Sequence, residues 1–154
     1  MATRILVPLD GSSQAEQALP WAVTLAQGLP AELALFRAIS IPADVLDILD
    51  QATVEPDPIV NRLQVEANEY LGAMVERLRD TGLDAYYAAR RGPAAEAILD
   101  YAGEMDIDQI VMATHGYSGI KRWTHGSVAE RVLQTARAPL LLVRADAQGI
   151  GDWQ

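Results

Sequence analysis

Ile110-Val-Met-Ala-Thr-His-Gly-Tyr-Ser-Gly-Ile-Lys-Arg-Trp-Thr-His-Gly-Ser-Val-Ala-Glu130 is the stretch on which the fold turns. It opens on Ile110, Val111 and Met112, a short apolar run of the kind found in strands buried on both faces. A basic loop follows and ends at Gly126-Ser127. Beyond it, Val128, Ala129, Val132, Leu133 and Ala136 recur at helical spacing. A strand, a glycine loop and a helix start form a geometry in which free main-chain N–H groups face an anion, helped by about half a positive charge at the helix tip. No carboxylate occurs from Gln109 to Ala129, whereas His115, Lys121, Arg122 and His125 all do. In a chain of net charge −9, a bound phosphate accounts for that gap. The same residues fit a second reading. Ser127-x-x-Glu130 is also a capping box, and Gly116, Gly119 and Gly126 permit positive φ in a long connection.

The chain's 154 residues suit one domain with a single sizeable core, and half of them are hydrophobic, as in an ordered globular protein. With 21 carboxylates against 12 Lys and Arg, nucleic acid and anionic membranes are disfavoured as general partners. There is no cysteine, hence no disulfide and no thiolate chemistry. The amino terminus lacks an apolar signal core, and no apolar run approaches the roughly 18 residues of a membrane span. The expectation is a cytoplasmic protein without a membrane partner.

Upstream of the deciding stretch, Arg4 to Asp10 reads as a buried strand ending in a carboxylate. Gly11-Ser12 then turns into a helix with Ser13-x-x-Glu16 as its capping box, and the apolar period carries one helix across Pro20 to about Gln27. Glu32 to Ile39 is the second strand. The connection from Ser40 to Pro58 is acidic and interrupted by prolines, with room for a short amphipathic turn or two. Ile59 to Asp80 is the longest helix, burying Leu63, Ala67, Tyr70, Leu71, Met74, Val75 and Leu78, and Gly82 stops it. Asp84 to Ala89 is a third, less apolar strand suited to an edge. Gly92-Pro93 starts a helix that turns Ala94, Ala97, Ile98, Tyr101 and Ala102 inward. Pro139 to Val143 is the fifth strand, and residues 145–154 form a polar tail to a domain spanning 1–144.

Five strands alternating with four helices imply an α/β fold, an open parallel sheet with helices on both faces. Ligands of such sheets bind beyond the carboxyl ends of the strands, where the winding reverses. Reversal between the first and fourth strands would set Asp10 and Thr114-His115-Gly116 around one crevice. Other chemistries fit poorly. The chain has neither a Gly-x-x-x-x-Gly-Lys-Ser/Thr loop nor a Gly-x-Gly-x-x-Gly after a strand. Asp10, Ser12 and His115 could compose a hydrolase triad, but no Gly-x-Ser-x-Gly elbow carries the serine. Two histidines without metal-ligand spacing do not make a zinc site. Asp10 suits either a cation held mainly by phosphates or the capping of its own turn.

The opening Ile-Leu-Val-Pro-Leu-Asp-Gly-Ser, the spacing Gly116–nine residues–Gly126-Ser127 after Val-Met-Ala-Thr-His, and the closing Ala138-Pro-Leu-Leu-Leu-Val143 together resemble the universal stress proteins, over nearly the whole chain. The resemblance implies a single-domain, Rossmann-like sheet of the adenine nucleotide alpha hydrolase type, strand order 3-2-1-4-5. It also implies a homodimer and a site for ATP with Mg²⁺ or Mn²⁺; the flat, apolar last strand, Pro139 to Val143, is the edge a two-fold mate would cover. Carried over by position, Pro8, Leu9, Asp10 and Ala38 would border the adenine and ribose. Met112, Ala113, His115 and Gly116 would line the ribose and phosphates, and Gly126, Ser127 and Val128 would hold the phosphates. The family pattern has glycine where this chain has Ala113, a methyl group placed where main chain meets ligand. The function so implied is a dimeric regulatory module of stress response. Two alternatives stand beside it: a slow Mg²⁺-dependent ATP hydrolase, and a nucleotide-free interaction module of the same fold.

Overall fold

In the computed structural model, residues 2–114 and 128–145 are described. Five strands, β1 (Thr3–Pro8), β2 (Ala31–Ile39), β3 (Asp84–Arg91), β4 (Gln109–Thr114) and β5 (Leu140–Arg144), form one parallel sheet in the order β3-β2-β1-β4-β5. Around it lie α1 (Ser13–Glu16), α2 (Leu19–Gly28), α3 (Ala43–Gln51), α4 (Asp57–Asp80), α5 (Ala94–Glu104) and α6 (Val128–Thr135). Alternate residues of the sheet feed two cores. Ile5, Val7, Leu33, Leu35 and Val111 pack with α2 and α4 on one face. Leu6, Phe36, Ile110 and Met112 pack with α5 and α6 on the other. The central strands are buried on both sides, which is why they read as unbroken apolar runs.

The sheet agrees with the sequence reading and the helices depart from it. The expected single helix over 13–27 is two. Its turn narrows at the junction, where Gln17 and Ala18 donate to the carbonyls three residues back, of Gln14 and Ala15. Pro20 then occupies the second position of α2, where its missing N–H leaves no helical bond unmade. Ser12, not Ser13, is the cap: its Oγ accepts from the Ala15 N–H at 3.2 Å. The acidic connection holds a nine-residue helix, α3, in place of a turn or two. Six helices therefore stand among the described residues where four were expected.

Burial also refines the expected core. On α4 the buried residues are Ala67, Leu71, Met74, Val75 and Leu78, while Leu63 and Tyr70 are half-buried. On α5, Ala95 is buried and Ala94 and Ala102 are half-buried. Leu133, which shares the apolar period of α6, is exposed: the helix buries Ala129 and Val132 and packs Val128 against the second core. Asp84 to Arg91 is an edge strand, as its composition suggested. Ala145, which opens the sequence-defined tail, is buried, and its N–H reaches the Thr114 carbonyl. The tail beyond it lies outside the described residues. No helix among the described residues is long and apolar enough to cross a membrane.

α4 shows what burial contributes. Leu71 is fully buried in the first core, whereas Val65 on the same helix is exposed. Leu71→Ala is expected to cost about 2–5 kcal/mol, and Val65→Ala no more than about 0.5 kcal/mol, as read from urea midpoints at unchanged slope.

Candidate functional site

The crevice originates in how β1 pairs. Its register with β2 runs the full strand, to Pro8↔Phe36, and Leu9 N–H still donates to the Phe36 carbonyl at 2.7 Å. With β4 the register consists of Ile5↔Gln109 and Leu6↔Ile110. Hydrogen-bonding edges alternate along a strand. Since Leu9 donates toward β2, position 8 faces β4, and proline has no N–H to offer there. The two central strands part at their carboxyl ends, at the point where the winding reverses. By the same alternation the Ile110 N–H, which bonds the Pro139 carbonyl on the β5 side, puts the main-chain groups of Ala113 on the side of the opening.

An open cleft of about 640 Å³, mouth included, lies there. Pro8, Leu9, Phe36, Ala38, Ile98, Met112, Ala113, Val128 and Ala129 supply apolar walls. Asp10, Ser12, Gln14 and Thr114 supply polar groups. The first turn of α6 begins at this wall, so its N-terminal end borders the cleft. Of the residues singled out from the sequence, Pro8, Leu9, Asp10, Ala38, Met112, Ala113 and Val128 come together here. His115, Gly116, Gly126 and Ser127 lie outside the described residues. Phe36 and Ile98 were missed as site residues because both read as core, and both are core: the cleft is the open end of the second hydrophobic cluster. Ala113 lines the cleft and also packs against the first cluster.

Asp10 is committed in part to its own turn. Its Oδ1 accepts from the Ser12 N–H at 2.9 Å and from the Ser12 hydroxyl. This is the capping role that the sequence left open, and it directs the serine hydroxyl at the aspartate instead of at a histidine. The second carboxylate oxygen keeps its own lone pairs for another donor. Gly11, between them, has φ +86°, and a Cβ there would stand 3.2 Å from Arg37 Nη1. The positive φ favours glycine there, and a Cβ would press on the Arg37 guanidinium, which would have to shift by a few tenths of an ångström.

Arg37 in turn lies over the Tyr70 ring, 5.6 Å from its centre. The Tyr70 hydroxyl is buried and lacks a formed hydrogen bond, although the Glu16 carboxylate is close enough to act on it. Burial above all, then Glu16, holds this phenol well above its ordinary range, and Arg37 opposes the shift only partly. Burial also raises Tyr86 and Tyr101. Above pH 10 the unfolded chain therefore loses phenolic protons that the folded chain keeps, and stability falls as pH rises. Equilibrium unfolding between pH 9 and pH 12, near and above the ordinary tyrosine value of about 10, is expected to show that decline. Tyr70→Phe should flatten it and leave stability at neutral pH nearly unchanged, since no formed bond is lost.

The comparisons with known proteins agree with this architecture. The model of the Universal stress protein family matches residues 1–144. Universal stress protein YxiE of Bacillus subtilis is 31% identical over 148 residues, covering 94% of this chain and all of the relative. The structure of hypothetical protein MJ0577, a universal stress protein of Methanocaldococcus jannaschii, superposes with a TM-score of 0.78 at 26% identity, over 96% of this chain and 99% of that one. A universal stress protein from Archaeoglobus fulgidus, solved in complex with dAMP, shares the fold with a TM-score of 0.61 at 19% identity, over 92% of this chain and 97% of that one. With its sheet order, its motifs and these matches in agreement, the chain belongs to the universal stress protein family.

Proposed function

We propose that this protein binds ATP in the cleft between β1 and β4 and acts as a dimeric, cytoplasmic regulatory module of stress response. One observation carries the reading: apolar walls, a carboxylate and a helix N-terminus converge where the central strands part. Each part suits one part of the nucleotide. Pro8, Leu9, Ala38 and Met112 offer apolar surface to a purine, and Asp10 offers an acceptor to a ribose hydroxyl. Ala113, His115 and Gly116 would follow the ribose to the phosphates, which Gly126, Ser127 and Val128 would hold by main-chain N–H groups. Mg²⁺ or Mn²⁺, bound mainly by the phosphates, would offset part of their charge. The dAMP complex of the Archaeoglobus relative supports the adenine nucleotide class. Ala113 is compatible with this ligand, because its main-chain groups face the opening while it also packs against the first core.

Titration calorimetry with ATP and Mg²⁺ is expected to give a Kd in the micromolar range, about −8 kcal/mol. Asp10→Ala should weaken it by about tenfold or more, the worth of one hydrogen bond to a charged group. Absence of both heat and thermal shift at millimolar ATP would sink the reading and leave the nucleotide-free module.

Dimerisation has its own support. β5 is an edge strand, and Leu140, Leu141 and Leu142 on it are only half-buried. An exposed apolar edge invites a pairing partner, and a two-fold mate covers it with the same surface. Sedimentation should show a dimer, which Leu141→Asp converts to monomer or aggregate; a monomeric wild type would contradict the proposal.

A further inference from the structure

Between Arg37 and Arg62 the chain carries Asp44, Asp47, Asp50, Glu55 and Asp57 and no cation. Within this span α3 buries none of its residues. Of the nine large hydrophobic side chains exposed among the described residues, four lie here: Val45 (37%), Leu46 (41%), Ile48 (62%) and Val54 (46%). On a helical wheel Val45, Leu46, Ile48 and Leu49 share one arc of α3, and Asp44, Asp47 and Asp50 share the other. An apolar stripe on a short helix normally exists to pack against something, because nine residues do not hold a helix in water unaided. Here it faces outward.

The end of α3 shapes this surface further. The Thr53 N–H bonds the Asp50 carbonyl at 3.0 Å and the Val54 N–H bonds the Leu49 carbonyl at 2.8 Å, the paired closure of a Schellman motif. The left-handed position in it, φ +54°, is held by Thr53 where glycine is usual. The reversal brings Val54, Glu55 and Pro56 beside the helix, and with Leu46, Leu49 and Asp50 they line one groove. No residue of α3 lines the cleft between β1 and β4.

We propose that α3 and its C-terminal turn are a docking surface for a basic, amphipathic helix of a partner protein. Apolar side chains of that helix lie in the groove beside Leu46, Leu49 and Val54, and its Lys or Arg side chains meet Asp47, Asp50 and Glu55. Charge complementarity selects this occupant. A second copy of the chain would bring the same carboxylates against their own images, and an anionic lipid surface would repel them equally. Among the described residues, this groove and the cleft share no lining residue.

The test uses the full-length ¹⁵N-labelled chain and a synthetic helical peptide with leucines on one face and lysines on the other. Amide shifts are expected to be confined to residues 43–57, and affinity should fall as salt is raised. The variant Asp44→Lys/Asp47→Lys/Asp50→Lys should weaken the lysine peptide about tenfold and favour its glutamate analogue, with core amides unshifted. Leu46→Ser/Ile48→Ser should weaken both peptides. Four outcomes overturn the proposal. They are equal binding of a scrambled peptide of the same composition, shifts centred away from α3, an unchanged peptide preference in the lysine variant, and self-association or vesicle binding abolished by Leu46→Ser/Ile48→Ser.

Discussion

A proline at the end of the central strand has no N–H to donate, and strand alternation places that missing donor on the side of β4. β1 therefore stays joined to β2 along its whole length while its pairing with β4 is confined to the residues before Pro8. The opening that results is bounded by the ends of two strands and the beginning of a helix, where unpaired main-chain groups are concentrated by the architecture itself. The site is thus a consequence of how the sheet is wound and interrupted. It needs no insertion and no second domain.

The two cores divide the work around this opening. The cluster beneath α2 and α4 fixes the sheet and meets the opening at Leu9, Ala15 and Ala113. The cluster beneath α5 and α6 is open at its upper end, where Phe36, Ile98, Met112 and Ala129 serve as core below and as cleft wall above. Phe36 is braced from behind by Tyr101, with ring centres 4.8 Å apart, and Arg90 lies over the other ring of that pair. Glu96 and Arg131 tie α5 to α6 at 2.6 Å on the exposed side. An exposed ion pair of this kind contributes little stability, and its value lies in the registry of the helix that opens onto the cleft.

The opposite rim is set by a chain of contacts that no motif announces. Gly11 rests on Arg37, Arg37 on Tyr70, and Tyr70 stands beside Glu16. These residues come from three elements and meet only after β2 and α4 have packed. They hold the turn carrying Asp10, so the carboxylate's position is a property of the far face of the sheet as much as of its own loop.

Much was legible in the chain alone, because the physics involved is local. Apolar runs bounded by glycine and proline mark strands, helical periods mark α4 and α5, and the motifs at Pro8–Ser12 and after Met112 identify the family. The order of the strands also followed from the resemblance and agrees with the fold observed. Other features belong to tertiary structure. Pro20 read as lying within one kinked helix, and the folded chain has two instead, divided where the turn narrows at Gln17 and Ala18. Leu133 has the period of a buried residue, yet α6 buries Ala129 and Val132 and leaves it exposed. Phe36 and Ile98 read as core, and only the parting of β1 from β4 makes them a wall as well. Sequence determines which residues tend to be buried or to turn; where a core is left open is decided by how complete elements fit against one another.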